Sequence, residues 1–131
     1  PLVDRVGYVD GPLDWRGSAG LEWALNNIKV QLNAQYYDAY KVYASDSTAS
    51  TIDFITSMQG STQIPSQTYF DASFNYRLSD GLLKDSRLTL GVKNLFDRSP
   101  PIIAGVSATG GYSTYGDPRM RSYFLSFERQ F

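Results

Sequence analysis

From Ile28 to Tyr36 the chain alternates without a break. Ile28, Val30, Leu32, Ala34 and Tyr36 are apolar or aromatic, and Lys29, Gln31, Asn33 and Gln35 between them are polar. A period of two places successive side chains on opposite faces of a strand. The pattern returns at Phe70, Ala72, Phe74, Tyr76 and Leu78, interleaved with Asp71, Ser73, Asn75 and Arg77. It returns again at Leu88, Leu90 and Val92, against Arg87, Thr89, Gly91 and Lys93. A last copy is Tyr123, Leu125 and Phe127, with Ser122, Ser126 and Glu128 between and Phe124 interrupting the polar face. A weaker first copy lies between Trp15 and Trp23, where Gly17, Ala19 and Leu21 alternate with Arg16, Ser18, Gly20 and Glu22. The chain therefore reads as all-β, an antiparallel up-and-down meander of about five strands over residues 14–24, 28–43, 68–78, 86–96 and 119–131, with little sign of helix.

The connections alternate in length. Leu25-Asn26-Asn27 is a tight turn, and the stretch from Asp80-Gly81 to Asp85 is a short one. By contrast, residues 44–67 form a long Ser/Thr-rich loop, and residues 97–118 a long loop rich in Gly, Pro and Tyr. Loops of this length are uncommon in compact domains unless they carry function. Short turns thus fall at one end of the sheet and long loops at the other.

Composition removes most chemistry. Among 131 residues there is neither His nor Cys, so a Ser-His-Asp triad, thiol catalysis, disulfides and zinc-thiolate sites cannot be built within the chain. The acids, Asp4, Asp10, Asp14, Asp38, Asp46, Asp53 and onward, are dispersed, and no carboxylate pair for glycoside cleavage is implied. Gly105 to Gly111 is glycine-rich without a phosphate-binding spacing. No catalytic, cofactor or metal residues are assigned, and the chain is not expected to be an enzyme. A net charge of -1 with scattered charges gives no footprint for nucleic acid. No apolar run approaches the roughly 18 residues of a membrane-crossing helix. The start, from Pro1, lacks the basic-then-apolar build of a targeting segment, so any such signal is expected upstream.

Fifteen per cent of the residues are aromatic, ten of them Tyr, and they change the picture. Tyr36, Tyr37, Tyr40 and Tyr43 gather at the rim of the first long loop and Phe96 at the rim of the second, as in the interfacial girdle of a membrane barrel. Strands of about ten residues suit a tilted crossing of a bilayer. The polar set, Lys29, Gln31, Asn33, Gln35, Asp71, Asn75, Arg77 and Lys93, must face water. Two architectures satisfy this: a soluble sheet with its apolar face inward, or a membrane barrel with its apolar face on lipid and a wet lumen. Five strands cannot close a barrel around a wet lumen, and left open they expose two edges and an apolar face. A segment of a larger barrel resolves that conflict.

The most distinctive run is Leu88-Thr89-Leu90-Gly91-Val92-Lys93-Asn94-Leu95-Phe96-Asp97, closed by Arg98-Ser99-Pro100-Pro101. Before it stands Thr68-Tyr69-Phe70-Asp71-Ala72-Ser73-Phe74-Asn75-Tyr76-Arg77-Leu78, and after it Tyr115-Gly116-Asp117-Pro118-Arg119 leads into the strand that ends on Phe131. In order and spacing these segments resemble the C-terminal part of the β-barrel of TonB-dependent outer-membrane receptors. The likeness covers nearly the whole chain and is strongest from Thr68 to Phe131, with Asn94, Leu95, Phe96 and Asp97 as its family motif. Tyr123, Leu125, Phe127 and Phe131 match the alternating, aromatic-terminated strand used in barrel assembly. Arg129 departs from that alternation and is expected to snorkel to the interface.

The resemblance implies a C-terminal segment, residues 1–131, of a barrel of about 22 strands, whose plug domain is absent from this chain. It implies a bacterial outer-membrane location and uptake of a scarce ligand such as an iron chelate. It also implies energy coupling through the plug to an inner-membrane complex. Partners would be outer-membrane lipid, the rest of the barrel, the plug and a small-molecule ligand, with no cofactor and with self-association of the isolated segment. The turns at Asn26 and Gly81 and the C terminus would face the periplasm, and the long loops the outside. Tyr112, Tyr115, Asp117 and Arg119 are the candidate ligand contacts, rigid rings and a cation suited to an anionic ligand. A soluble β-sheet binding module and the wall of a passive porin remain the alternative readings.

Overall fold

The computed structural model describes residues 2–104 and 111–131. The principal element is a five-stranded antiparallel sheet, built of β1 (Arg16–Leu25), β2 (Ile28–Tyr37), β5 (Gln67–Leu78), β6 (Ser86–Lys93) and β9 (Ser122–Arg129) in that spatial order. Between its strands lie β3 (Tyr40–Lys41), the helix α1 (Ala49–Gln59) and β4 (Gln63–Ile64), and further on β7 (Ile102–Ile103) and β8 (Gly111–Tyr112). No helix among the described residues is long and apolar enough to cross a membrane. The chain divides into two compact units. One comprises Ser18–Gln35, Tyr69–Arg98 and Arg119–Phe131, and the other Pro1–Gly17, Tyr36–Thr68 and Ser99–Pro118.

The first unit holds most of the sheet. Its register puts Phe74 opposite Leu90 and Leu90 opposite Leu125, with Ala72, Val92 and Tyr123 beside them, so the apolar positions of three strands share one face. The other face carries Asn75 opposite Thr89 and Thr89 opposite Ser126. The apolar face has no second layer within the unit: Leu21 is 74% exposed, Tyr123 71% and Leu125 68%. The edge strands β1 and β9 have no outer neighbour in the sheet.

Phe124, the residue out of pattern, lies on the polar face directly opposite Gly91. Its ring occupies the space a side chain at 91 would need, since a Cβ there would overlap the Phe124 ring. The aromatic is therefore accommodated by the one residue without a side chain. Arg129, also out of pattern, donates from its guanidinium to the Leu82 carbonyl at 3.2 Å and lies 5.3 Å from the centre of the Phe131 ring. Its guanidinium thus finds partners at both the β5–β6 turn and the chain end.

Strand ends differ from the alternation. β2 stops at Tyr37 rather than 43 because the Asp38 carboxylate accepts from the Ala39 amide (2.8 Å) and the Tyr36 hydroxyl (3.0 Å), turning the chain out of the sheet. Tyr40 and Lys41 then pair with Ile64 and Gln63. β6 stops at Lys93 because Asn94 is left-handed at φ 55°, and Met120 at φ 65° delays the start of β9 to Ser122.

In the second unit, residues 44–67, expected as a long loop, hold the helix α1 and the short strand β4. Thr48 caps α1 by accepting from the Thr51 amide, Gly60 ends it at φ 76°, and the Gly60 amide bonds to the Thr56 carbonyl at 2.8 Å. Its inner residue Ile55 packs with Tyr40, Val42 and Ile64, and these four form the buried apolar cluster of the unit. Val9, Leu13, Tyr43, Ile103 and Tyr115 pack around them.

Candidate functional site

Among the described residues, three places carry organised polar or aromatic side chains: the Asn94–Asp97 turn, the polar face of the sheet, and the loop unit with its Tyr cluster.

At the turn, Asn94 is 5% exposed. Its backbone amide donates to Asp71 Oδ1 at 2.8 Å. Its side chain donates from Nδ2 to the Arg98 carbonyl (2.7 Å), while Oδ1 accepts from the Arg98 amide (2.9 Å). Asn tolerates φ above zero and offers a donor and an acceptor on one amide, and both properties are used. Leu95 closes the ladder with β5 through its amide on the Phe70 carbonyl (2.7 Å), and the Asp97 amide closes the turn on the Asn94 carbonyl (2.9 Å). Phe96 meets Phe70 edge to face at 5.3 Å between centroids. Asp97 Oδ1 accepts from the Arg121 amide at 2.9 Å, just ahead of β9. Four consecutive residues thus tie β5, β6 and β9 together. The arrangement is architectural.

Across the polar face runs a set of side-chain bonds. Glu22 on β1 accepts from Lys29 (3.0 Å) and Gln31 (2.7 Å) on β2, Gln31 Oε1 accepts from Ser73 on β5 (3.2 Å), and Thr89 on β6 donates to Asn75 Oδ1 on β5 (2.7 Å). Such cross-strand pairs fix register while remaining at home in water. Near the short turns this face forms a groove of about 390 Å³ lined by polar and cationic side chains, among them Lys29, Arg77 and Arg87.

In the loop unit, Tyr115 stands edge to face on Tyr40 (5.6 Å) and 5.6 Å from Tyr37. The Tyr40 hydroxyl hydrogen-bonds the Ser113 hydroxyl at 2.7 Å, and Ser113 Oγ also accepts from the Tyr115 amide (3.2 Å). Burial raises the Tyr40 pKa, with the Ser113 bond opposing it. Lys41 Nζ donates to the Tyr8 hydroxyl (3.0 Å), which raises its pKa. Asp10 is lowered, first by the Ser45 amide it accepts from at 2.9 Å.

Of the candidate ligand contacts, Tyr115 is half-buried against the core of this unit, and Tyr112 is exposed on β8 opposite Ile102. Asp117 is in the same unit and has a partner, and Arg119, also partnered, belongs to the other unit. The four do not form one site within either unit. The glycine-rich run noted in the sequence lies, up to Gly110, outside the described residues. Among the described residues no group of His, Cys, Asp or Glu is arranged to hold a metal ion.

Sequence reasoning missed Asp71 and Arg121 as partners of the turn, and Gln59, whose side chain donates to the Ile102 carbonyl (2.9 Å) and accepts from the Ala104 amide (2.6 Å). No local pattern marks partners 23 to 45 residues away. Comparison with protein-family models, with curated proteins and with solved structures finds no match.

Proposed function

We propose that the chain is a wall segment of an outer-membrane β-barrel of the TonB-dependent receptor type, in which it contributes five strands and part of the external mouth. One observation carries this reading: an amphipathic sheet whose apolar face lies uncovered within its own unit and whose edge strands have no outer neighbours in the sheet. In water such a face and such edges favour aggregation. Against lipid, with neighbouring strands on both sides, the same face is satisfied and the edges are removed.

On this reading Leu21, Leu90, Tyr123 and Leu125 face acyl chains, and the Glu22–Gln31–Ser73 and Asn75–Thr89 bonds face the lumen. The long loops that make up most of the loop unit face the outside on this reading, where ligand capture begins. Tyr112 is the exposed candidate contact there, and Tyr115 packs against the core of the unit. Uptake of a scarce ligand then depends on a plug supplied by another part of the protein.

Fractionation of source cells, probed with an antibody to this segment, tests the reading. The expected result is an outer-membrane band larger than 14.6 kDa that shifts on heating, as a stable barrel does. A band of that size in the soluble fraction overturns it. A membrane parent lacking a plug assigns the segment to a passive porin instead.

A further inference from the structure

The β5–β6 register sets Arg77 directly opposite Arg87 on the polar face. Like charges in directly opposed cross-strand positions are unfavourable unless something lies between them. Among the described residues neither guanidinium has an ion pair. Glu22 is occupied by Lys29 and Gln31, and Glu128, the register partner of Arg87, makes no salt bridge to it. Asp85 borders the adjoining hollow beside Arg77, Arg87 and Glu128 without pairing to either Arg.

The two guanidinium groups line the groove of about 390 Å³ together with Asn75. Asn75 Oδ1 is engaged by Thr89 at 2.7 Å, which leaves the Nδ2 donors of Asn75 as the hydrogen-bonding atoms for the groove. Two planar forks and an amide donor around one hollow form an oxyanion receptor, because guanidinium matches the two oxygens of a carboxylate or phosphate. We propose that Arg77, Arg87 and Asn75 bind an oxyanion, a carboxylate or phosphate group, on the polar face near the short turns. The site belongs to the sheet itself and stands or falls independently of the barrel reading.

The parent protein, purified in maltoside micelles, which carry no phosphate, is titrated with inorganic phosphate and separately with acetate, against chloride at matched ionic strength, with the Arg77 and Arg87 signals assigned by their loss in R77Q and R87Q. The readout is the NMR shift of the Arg Nε–Hε groups and the Asn75 side-chain amide. Saturable shifts at all three residues are expected, and R87Q and R77Q each weaken binding about tenfold, the loss of one charge-assisted contact. K93Q, on the same face at the far end of β6, leaves binding unchanged. Saturation by phosphate alone assigns a phosphate group, and saturation by acetate as well admits carboxylates. Thermal melting guards against misfolding: R87Q removes a repulsion and keeps or raises Tm in chloride, whereas a given phosphate concentration raises Tm less in R87Q and R77Q than in the unchanged protein. Linear, non-saturating shifts with both anions, or shifts equal in R87Q, overturn the proposal.

Discussion

Asn94 shows how much one side chain can fix when its backbone and its amide are both in use. Its φ of 55° costs little for Asn, and its amide bonds twice to the Arg98 backbone. Replacement by Ala loses both bonds in a buried place and leaves in left-handed backbone a side chain that cannot hydrogen-bond locally, so a loss of about 2–3 kcal/mol is expected. Asn94→Gly restores the backbone and recovers about 1 kcal/mol of that; denaturant unfolding of the two variants checks the order. Tyr40 gives the prediction in pH. Its folded pKa is raised, so the protonated phenol stabilises the loop unit fully below the unfolded tyrosine value of about 10, and that contribution is lost as pH rises through the folded value. Tyr40→Phe removes this alkaline loss, and melting curves between neutral and alkaline pH measure it.

Alternation made the elements of the sheet legible, because a half-exposed strand writes its two faces into every second residue. The pairs Phe74–Leu90 and Leu90–Leu125 follow from those faces once neighbours are assigned. The helix was not legible in the same way. Of Ala49–Gln59 only Ile55 is buried, so no apolar stripe marks the helical period, although its cap Thr48 and its stop Gly60 stand in the sequence. Asn94 to Asp97 could be recognised as a stop, but the partners Asp71 and Arg121 could not, since they come from folding and not from spacing. Among the candidate contacts, Tyr115 is half-buried against the core of the loop unit, a packing that no local pattern marks. At the last strand, Tyr123, Leu125 and Phe127 share a face and Phe131 is fully exposed beyond it. Deleting Phe131 from the parent protein is expected to lower the yield of heat-shifting barrel in membranes, measured by unheated gel mobility. Full yield would separate this terminus from assembly.

For the whole molecule, the division of labour is between a loop unit with its own apolar cluster and a sheet unit whose apolar face has no second layer within that unit. A soluble module would bury that face, and a membrane wall leaves it to lipid. The absence of cysteine in the chain allows single Cys residues to be placed without background in this segment. Leu90 and Leu125 are chosen on the apolar face, with Thr89 and Ser126 on the other. Each is spin-labelled in the parent protein in native membranes, and collisions with oxygen, which concentrates in lipid, are compared with those of a water-soluble nickel complex. The account predicts an oxygen excess at 90 and 125 and a nickel excess at 89 and 126. Positions 90 and 125 shielded from both, or as open to nickel as their neighbours, would contradict it.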